Sequence, residues 1–380
     1  MKHKVLILNH TPFVGGAQLA IIDLLEKIDR ERFEPVVVNS NKAEELGFVS
    51  EYERLGVAYR LIPFERMKVL DWRAVARYWS SVKELRRIVV QEKPCVIFCN
   101  TVRADLVAAI VSLMTKTKAI WYVNDYTFPR PVFRLLQIIP RKIIFVSAAV
   151  AGYYGCDLKK NKFQVIHPWS RFDERLSNVS IEDIQKIREG WKAGPNNFVV
   201  GFVGRLVEWK GAQVLVKAIK LLKDRGASNI KCVIIGSGQS EPNNEAAVHD
   251  LVADLDLGET VVFTGHVKLV APLVKSLDLL CLTSIEPEPY STVVVEAMLA
   301  RVPTIGTDLG GTPEAIKHER TGLLVRPDDA EGLAEAIIKI MDDQELRNRL
   351  IDNGLSYASE NNTAVSAARR LEQLFVENCE

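Results

Sequence analysis

The chain has 380 residues, more than a single hydrophobic core usually serves, so two domains with a cleft between them are expected. Its hydrophobic content of 48% and charged content of 26% are those of an ordinary globular protein and exclude a disordered or low-complexity chain. The formal net charge of +1 conceals 26 Lys and Arg against 16 Asp and Glu in residues 1–170, with 23 against 32 in the remainder.

The N-terminal residues, MKHKVLILNHT, form a short apolar run that polar residues follow at once, without a cleavage site of small residues. This pattern predicts a first buried strand rather than a signal peptide. No run of 18 apolar residues occurs, so the sequence predicts no membrane-spanning helix. The six scattered cysteines are expected to be the reduced, buried thiols of a cytoplasmic protein.

Apolar, β-branched runs alternate with amphipathic helical stretches through the first half of the chain. The predicted strands are KVLILNHT, FEPVVVNS, AYRLIP, CVIFCN, KAIWYVND, KIIFVS and FQVIHP, and the helices between them include AQLAIIDLLEKID and DWRAVARYWSSVKELRRIVVQE. Strands this continuously apolar are typical of a parallel sheet that helices cover on both faces. Residues 1–170 are therefore predicted to form a doubly wound α/β domain.

The alternation breaks over residues 171–196, which predicts a linker, and resumes afterwards. Residues 197–355 are predicted to form a second doubly wound domain, with the strands NFVVGFVG, IKCVIIGSG, TVVFTGH, DLLCLTS, VPTIGTD and GLLVRP. The final helical segment, 356–380, has no strand left to cover and is expected to cross back and brace the first domain. Ligands of such sheets bind beyond the carboxyl ends of the strands, so the site is expected between the two sheets.

Glu288 and Glu296 follow the predicted strand DLLCLTS and flank the start of the predicted helix STVVVEAMLAR. Their spacing alone indicates little, because six such pairs occur in the chain. Ser291 or Thr292 is expected to begin the helix, whose first N–H groups favour an anion such as phosphate. Glu296 is then placed to bind a ribose and Glu288 the hydroxyls of a sugar. The alternative for Glu296 is a glutamate that only complements the helix dipole, and the alternative for Glu288 is a solvated charge in a loop.

Two cations lie on the loop that follows the predicted strand NFVVGFVG. Arg205 ends that strand, and Lys210 precedes the next predicted helix by one glycine. A guanidinium and an ammonium so placed can bind a diphosphate and stabilise the negative charge that develops when a nucleotide diphosphate departs. A solvated surface pair is the alternative.

Two glycine motifs also lie between a predicted strand and a predicted helix. Gly15 and Gly16 follow the first strand, where helix N–H groups could approach a phosphate or an acceptor. Gly236 opens a Gly-Ser-Gly motif after IKCVII, which lacks the third glycine and the acidic residue of an NAD-binding fingerprint. Plain tight turns are the alternative for both motifs.

No cluster of His, Cys and carboxylates has the spacing of metal ligands in this sequence. Asp254 and Asp256 form the acidic pair most similar to a metal-binding motif, but they close a predicted helix and are expected to be solvated. We therefore expect no catalytic metal and no other cofactor.

Basic residues are interspersed with aromatic ones in two segments of the first half. The helix DWRAVARYWSSVKELRRIVV combines Trp72, Tyr78 and Trp79 with five cations, Arg73, Arg77, Lys83, Arg86 and Arg87. The segment PRPVFRLLQIIPRK adds Arg130, Arg134, Arg141 and Lys142 next to Phe133 and Leu135. Together with the excess of ten positive charges in residues 1–170, these segments favour contact with an anionic membrane surface. Sheet-packing helices with a solvated basic face are the alternative.

Taken in order, Gly15-Gly16, Gly204-Arg205, Lys210-Gly211, Gly236-Ser237-Gly238 and the run EPEPYSTVVVEAMLARVPTIGTDLGGTPEAI resemble the retaining glycosyltransferases of family 4. The resemblance covers nearly the whole chain and is most specific in its second half. It implies the GT-B fold, in which two Rossmann-like domains with parallel sheets face each other across a cleft. It also implies a UDP- or GDP-sugar donor, no metal, and transfer with retention of the anomeric configuration.

By the same resemblance Arg205 and Lys210 bind the diphosphate and Glu288 contacts the transferred sugar, which makes these three the expected catalytic residues. No acceptor-binding residue is fixed, although Gly15 and Asp125 are candidates. The further donor-binding residues that the resemblance implies are Gly16, Asn124, Gly236, Ser291, Thr292 and Glu296, with Pro313 and Glu314 in a turn near the nucleotide.

The sequence departs from the family pattern in three places. Asn124 precedes Asp125 where members commonly have a histidine that contacts the donor sugar, and an amide cannot act as an acid or base. Pro168-Trp169 replaces the usual Asn-Gly after the last strand of the first domain. Ser291 replaces a frequent glycine, a milder change because its amide can still point at a phosphate.

The sequence therefore predicts transfer of a sugar from a UDP- or GDP-sugar to a hydroxyl of a glycan or lipid-linked acceptor in cell-envelope polysaccharide synthesis. The protein is expected in the cytoplasm, at the inner face of the membrane, and without a nucleic-acid partner. Two alternatives keep the fold. One is a nucleotide-sugar epimerase, which Asn124 disfavours. The other is a non-catalytic, membrane-associated protein, which the retained glutamates and cations disfavour.

Overall fold

The structure is a computed structural model that describes residues 2–10, 16–64, 72–238 and 241–379, apart from the side chains of residues 72 and 74. The chain divides into two compact units. Unit 1 comprises residues 1–169 and 364–380, and unit 2 comprises residues 170–363. Residues 171–196, expected as a linker, belong to unit 2, and the final helix belongs to unit 1.

Unit 1 is built on a parallel sheet of seven strands within the described residues. Its strands are β1 (His3–Asn9), β2 (Phe33–Ser40), β3 (Ala58–Ile62), β4 (Val96–Cys99), β5 (Lys118–Val123), β6 (Lys142–Phe145) and β7 (Phe163–Val165). They lie in the order β3-β2-β1-β4-β5-β6-β7. The helices of this part are α1 (Gly16–Lys27), α2 (Lys42–Glu45), α3 (Phe48–Arg54), α4 (Trp72–Glu92), α5 (Val102–Thr115), α6 (Arg130–Leu136) and α7 (Ala148–Tyr153).

Unit 2 begins with two helices, α8 (Phe172–Leu176) and α9 (Ile181–Gly190), and continues into a parallel sheet with six described strands. The strands are β8 (Phe198–Val203), β9 (Ile230–Ile235), β10 (Val261–Gly265), β11 (Leu279–Leu282), β12 (Thr304–Thr307) and β13 (Leu323–Val325), in the order β10-β9-β8-β11-β12-β13. The remaining helices are α10 (Ala212–Asp224), α11 (Pro242–Asp254), α12 (Ala271–Lys275), α13 (Thr292–Leu299), α14 (Thr312–Ala315), α15 (Ala330–Asp342) and α16 (Gln344–Asn361).

The central strands are apolar on both faces because helices cover both sides of each sheet. In β1 the side chains of Val5 to Leu8 have no exposed surface, and Val199 and Val200 of β8 are equally buried. The predicted doubly wound architecture is confirmed for both units. None of the described helices combines the length and the apolar composition needed to cross a bilayer.

The last helix, α17 (Ala364–Cys379), packs within unit 1 against α1, β1 and β4. The ring of Phe375 anchors it, with its centroid 6.0 Å from that of Phe33 and 5.6 Å from that of Phe98. The C-terminal segment therefore completes the core of unit 1.

Cys379, at the end of α17, forms a disulfide with Cys95, which directly precedes β4. The expectation of reduced thiols is wrong for this pair. The two cysteines are 284 residues apart, and only the return of α17 to the first sheet brings them together. Among the described residues the other cysteines are free, namely Cys99, Cys156, Cys232 and Cys281.

Each sheet has one point at which the chain changes the direction in which it adds strands. This topological switch point lies between β1 and β4 in unit 1 and between β8 and β11 in unit 2. Open α/β sheets bind ligands at the carboxyl ends of the strands on either side of such a point.

Candidate active site

Lys210 and Glu288 meet at the switch point of unit 2. Lys210 lies in a 3-10 turn, Glu208–Lys210, after β8, and Glu288 lies in the loop after β11. The lysine Nζ lies 2.7 Å from the Oε1 of Glu288, and the two side chains are only 15% and 5% exposed. The structure thus brings two of the three predicted catalytic residues into direct contact in a desolvated pair.

Hydrogen bonds of Glu288 hold the loop that carries it. The Oε1 of Glu288 also accepts a hydrogen bond from the hydroxyl of Ser284, and the carbonyl oxygen of Glu288 accepts one from the N–H of Gly311 at 2.8 Å. Gly311 belongs to the Gly-Gly-x-Pro-Glu turn that the sequence placed near the nucleotide. The carboxylate is therefore fixed before any ligand arrives.

Gly211 allows the loops after β8 and β11 to approach each other closely. It is the N-cap of α10 with a φ of +67°, and a Cβ at this position would overlap the carbonyl oxygen of Thr283. The hydroxyl of Thr283 donates to the carbonyl oxygen of Gly211 at 2.8 Å, and the N–H of Ile285 donates to that of Trp209 at 2.8 Å. Glycine is needed here both for the left-handed backbone and for the contact.

Arg205 and Lys210 both lie close to the ring of Trp209, a residue that sequence reasoning missed. The guanidinium carbon of Arg205 is 5.9 Å, and the Nζ of Lys210 4.6 Å, from the ring centroid of Trp209. Both distances are within the range of cation–π attraction. Arg205 is exposed and Lys210 is half-buried, and their common contact with Trp209 keeps the two cations in one region of the surface.

Gly236 lets the loop after β9 cross the end of β8. Its φ is +138°, and a Cβ there would overlap the carbonyl oxygen of Gly204, the residue before Arg205. The N–H of Gly236 donates to the carbonyl oxygen of Gly265 at 3.0 Å. The Gly-Ser-Gly motif therefore supports the backbone that presents Arg205.

Helix α13 begins where the sequence predicted, with Ser291 at its N-cap and Thr292 as its first residue. The side chain of Ser291 is buried and makes no capping hydrogen bond to the helix, while Thr292 is half-buried. Glu296 lies in the second turn and is half-buried. The first N–H groups of α13 and both predicted glutamates thus belong to the region that follows β11.

In unit 1 three asparagines form a chain of hydrogen bonds across the switch point. The Nδ2 of Asn100, after β4, donates to the Oδ1 of Asn9, at the end of β1, at 3.3 Å, and to the carbonyl oxygen of Ala17 at 2.7 Å. The Nδ2 of Asn124, after β5, donates to the carbonyl oxygen of Asn100 at 2.7 Å. Asn124 is thereby held as a hydrogen-bonding group, and Asn9 and Asn100 are additions that sequence reasoning missed.

His10 and Arg103 are further additions at this edge of unit 1. The Nη1 of Arg103 lies 3.2 Å from the Nε2 of His10, and burial, followed by the charges of Arg103 and Lys42, lowers the pKa of His10 to about 4. Asp105 is fully buried, and burial, followed by the charge of Asp125, raises its pKa well above the usual value. At neutral pH the imidazole of His10 is therefore uncharged, and burial favours the neutral form of Asp105.

The remaining predicted residues of unit 1 have distinct surroundings. Gly16 is the first residue of α1 and is exposed, with open space where a Cβ would lie, and Gly15 is outside the described residues. Asp125 accepts hydrogen bonds from the N–H and hydroxyl of Thr127 at 2.9 and 2.6 Å. Trp169, at the departure from the family pattern, is buried and donates its Nε1–H to the carbonyl oxygen of Ala20 at 2.9 Å.

The acidic pair near residue 255 is solvated, as expected. The side chain of Asp256 is fully exposed and lies 3.7 Å from the Nζ of Lys223. Among the described residues, the group of His, Cys or carboxylates close enough to share a metal is His3, Cys95 and Cys379. It lies at the amino ends of β1 and β4, away from the carboxyl ends where the functional side chains of unit 1 meet.

Comparison with known proteins decides the family. Residues 183–356 match the family model described as Glycosyl transferases group 1. A glycosyltransferase of Methanocaldococcus jannaschii is 32% identical over 379 residues, covering 93% of this chain and 92% of the relative. The chain belongs to the glycosyl transferases group 1 family. A second relative of this glycosyltransferase, an α-1,4-N-acetyl-D-galactosaminyltransferase of Campylobacter jejuni, is 25% identical over 346 residues, 89% of each chain.

The fold of the glycosyltransferase is shared with solved structures. The crystal structure of Anabaena HepE in complex with UDP and glucose matches it with a TM-score of 0.80 and 24% identity, over 98% of this chain and 99% of HepE. The predicted GT-B fold is therefore confirmed, and the resemblance to group 1 transferases seen in the motifs is confirmed by the family match.

Proposed function

We propose that this glycosyltransferase moves a sugar from a UDP- or GDP-sugar to a hydroxyl group, with retention of anomeric configuration and without a metal ion. The donor diphosphate binds between Arg205, Lys210 and the N-terminus of α13. Glu296 binds the ribose and Glu288 the hydroxyls of the transferred sugar. Gly236, Ser291 and Thr292 complete the proposed donor site of unit 2, and Gly16 and Asn124 of unit 1 stay predicted donor-binding residues.

The contact between Lys210 and Glu288 carries this proposal. It joins the loops on the two sides of the unit 2 switch point, where ligands of doubly wound sheets bind. An ammonium group has three donors, and the carboxylate of Glu288 takes one of them. The others can bind phosphate oxygens, in a desolvated setting where a fixed positive charge acts strongly on a departing diphosphate.

The acceptor hydroxyl attacks on the face that the leaving diphosphate occupies, and a donor phosphate oxygen takes its proton. No side chain has to serve as a base on this route, so Asn124 can replace the usual histidine. Its amide is already fixed by Asn100 and can still accept a hydrogen bond through Oδ1. The protein contributes position and electrostatics.

The proposed acceptor is a glycan or lipid-linked intermediate of cell-envelope polysaccharide synthesis. The Campylobacter jejuni relative is named for adding N-acetyl-D-galactosamine to a glycan carried on diphosphate-undecaprenol. A lipid-linked acceptor requires the enzyme to work at a membrane surface.

Unit 1 offers a surface for that contact. Leu113, Leu135 and Ile138 are 65%, 70% and 75% exposed. Leu113 and Ile138 line a groove of about 560 Å³ whose walls include five cations, Lys116, Lys118, Arg141, Lys142 and Lys162. Exposed apolar side chains among lysines and arginines suit an anionic lipid surface. We propose this surface as the membrane contact.

The alternative along α4 is less suited to a membrane. Tyr78, expected to be interfacial, is buried, and the Nη2 of Arg87 lies 2.9 Å from a carboxylate oxygen of Glu84. Phe133, expected at the surface of the second segment, is also buried. Trp79 is 46% exposed. Together with the cations Arg73, Arg77, Lys83 and Arg86 it gives α4 a smaller part in the proposed membrane contact than the surface around Leu135 and Ile138.

Vesicle sedimentation tests the membrane contact. Binding to vesicles with anionic lipid should exceed binding to neutral vesicles and fall as salt rises. The variant Leu135→Ser/Ile138→Ser should lose about tenfold in binding, whereas Trp79→Ser should change it little. Equal binding to both vesicle types at all salt concentrations would remove the electrostatic argument.

Transfer of label from UDP- and GDP-sugars tests the reaction itself. Arg205→Ala and Lys210→Ala should each lower kcat by about a hundredfold or more, while Lys192→Ala, an exposed lysine of unit 2, should not. NMR of the product should show the donor's anomeric configuration. Release of nucleotide and an altered sugar without any acceptor would indicate an epimerase, and nucleotide binding without turnover on any acceptor would indicate a non-catalytic protein.

A further inference from the structure

Arg103 lies at the unit 1 switch point and is paired with none of the carboxylates that the structure describes. It is the second residue of α5, which begins just after β4, and its guanidinium reaches His10, the first residue after β1. Within the described part of the chain, no Asp or Glu lies within ion-pair distance of it. The switch point of unit 1 therefore has a guanidinium that is not paired with any described carboxylate.

The contact with His10 orients Arg103 without changing its charge. His10 is 6% exposed, and its depressed pKa keeps the imidazole neutral at neutral pH, so Nε2 accepts a hydrogen bond from Nη1. A guanidinium has five N–H donors in a rigid fork, and one of them is used here. The remaining donors are available to a ligand.

The neighbouring charges reinforce this positive edge. Lys42, two residues after β2, is exposed and close enough for its charge to lower the pKa of His10. Asp105, two residues after Arg103, is fully buried, and burial raises the pKa of its carboxyl well above the usual value, which favours its neutral form. A half-buried guanidinium paired with no described carboxylate is a suitable partner for an anion, because charge-assisted hydrogen bonds to a guanidinium are strong.

We propose that Arg103, with support from Lys42, binds an anionic group, a phosphate or a carboxylate, on the acceptor. The inference rests on the proposed function, in which Arg205 and Lys210 of unit 2 hold the donor diphosphate. The Arg103 fork matches the two oxygens of either anion, and Lys42 adds a point charge. His10 is a positioning residue that holds the fork.

Equilibrium dialysis with radiolabelled inorganic phosphate and with succinate tests this site. The full chain is first saturated with UDP, so that the diphosphate site is filled. Arg103→Gln should weaken binding of the anion about tenfold or more. Arg103→Lys should retain part of the affinity, and Lys42→Gln should have a smaller effect because that lysine is exposed. Arg54→Gln, a surface arginine of unit 1 paired with Glu51 and Glu26, is the matched control and should bind as the wild type does.

The outcomes separate the two proposals. Phosphate binding that depends on Arg103 identifies a phosphorylated acceptor, and succinate binding that depends on Arg103 identifies a carboxylate. No binding of either anion, or equal binding by wild type and Arg103→Gln, overturns the site. Failure to bind UDP counts against the proposed donor site alone. Anion binding by wild type and by Arg103→Gln is then compared without nucleotide, and that comparison still tests the Arg103 site. An unchanged midpoint of thermal unfolding in Arg103→Gln shows that the variant is folded.

Discussion

The Nζ of Lys210 and the Oε1 of Glu288 lie 2.7 Å apart, across the two strands at which unit 2 reverses its direction of growth. Neither residue is near the other in sequence, and each follows a strand of the same sheet. Their burial makes the pair both a structural link between the loops and a preorganised electrostatic element for a diphosphate.

Removal of one partner should destabilise unit 2 because it leaves a buried charge unpaired. Lys210→Met should lower the free energy of unfolding by about 3 kcal/mol. In Lys210→Met/Glu288→Gln the second substitution should restore part of that loss. Urea titrations of both single variants and the double variant should give a coupling free energy of about 1–3 kcal/mol between the two residues. The exposed pair Lys192 and Glu259, with side chains 77% and 90% exposed, is the control and should show coupling near zero. Additive effects at the first pair would contradict its role as a link.

The crowding at Gly211 gives a second test. Gly211→Ala should destabilise the protein by about 2 kcal/mol or more and lower UDP affinity, because the new Cβ overlaps the carbonyl oxygen of Thr283. Gly47 is also a helix N-cap with positive φ, at +77°, but has open space around it. Gly47→Ala should therefore cost only the backbone strain, about 1 kcal/mol. Equal losses in thermal unfolding would show that the contact with Thr283 contributes nothing.

The disulfide should stabilise unit 1 because it closes a loop that spans most of the chain. Under oxidising conditions Cys95→Ser/Cys379→Ser should have a free energy of unfolding lower by about 3–5 kcal/mol. A reducing agent should destabilise the wild type by a similar amount and leave the double variant unchanged. Peptide mapping without reduction should recover the two cysteines in one linked species, and their recovery as separate thiols would contradict the bond.

His10 should make stability depend on pH in a defined window. Its pKa of about 4 in the folded state lies below the ordinary value of 6.5, so the unfolded chain binds the proton more tightly. The stabilisation that the neutral His10 gives to the folded state is fully present above pH 6.5 and is lost as pH falls towards 4. Wild type should lose about 3 kcal/mol more than His10→Gln across that window in urea unfolding. Parallel pH profiles would mean that His10 is solvated.

Local sequence was sufficient to predict the sheets and most of their ends. Parallel strands buried on both faces require continuous apolar runs, and KVLILN and FVVGFV are short, β-branched runs of this kind. The start of α13 at Thr292 followed from a polar residue placed between a strand and an apolar helix. Arg205, Lys210 and Glu288 were found because strand-end positions bring ligand-binding groups together in any doubly wound sheet.

Contacts between distant segments were beyond local patterns. The meeting of Cys95 with Cys379 depends on where α17 packs, and nothing near either cysteine indicates it. The role of Trp209 was missed, because the fold of the loop, not the local sequence, brings its ring close to both Arg205 and Lys210. Tyr78 was misassigned to the surface because its basic neighbours in sequence are not its neighbours in space.

Binding of UDP and GDP, measured by calorimetry, tests the central claim most directly. We expect one nucleotide to bind the wild type, with affinity lowered about tenfold or more in Arg205→Ala and in Lys210→Ala, because each removes a cation from the diphosphate site. Lys192→Ala should bind as the wild type does. Undiminished affinity in both Arg205→Ala and Lys210→Ala would contradict the assignment of the donor site to the switch point of unit 2.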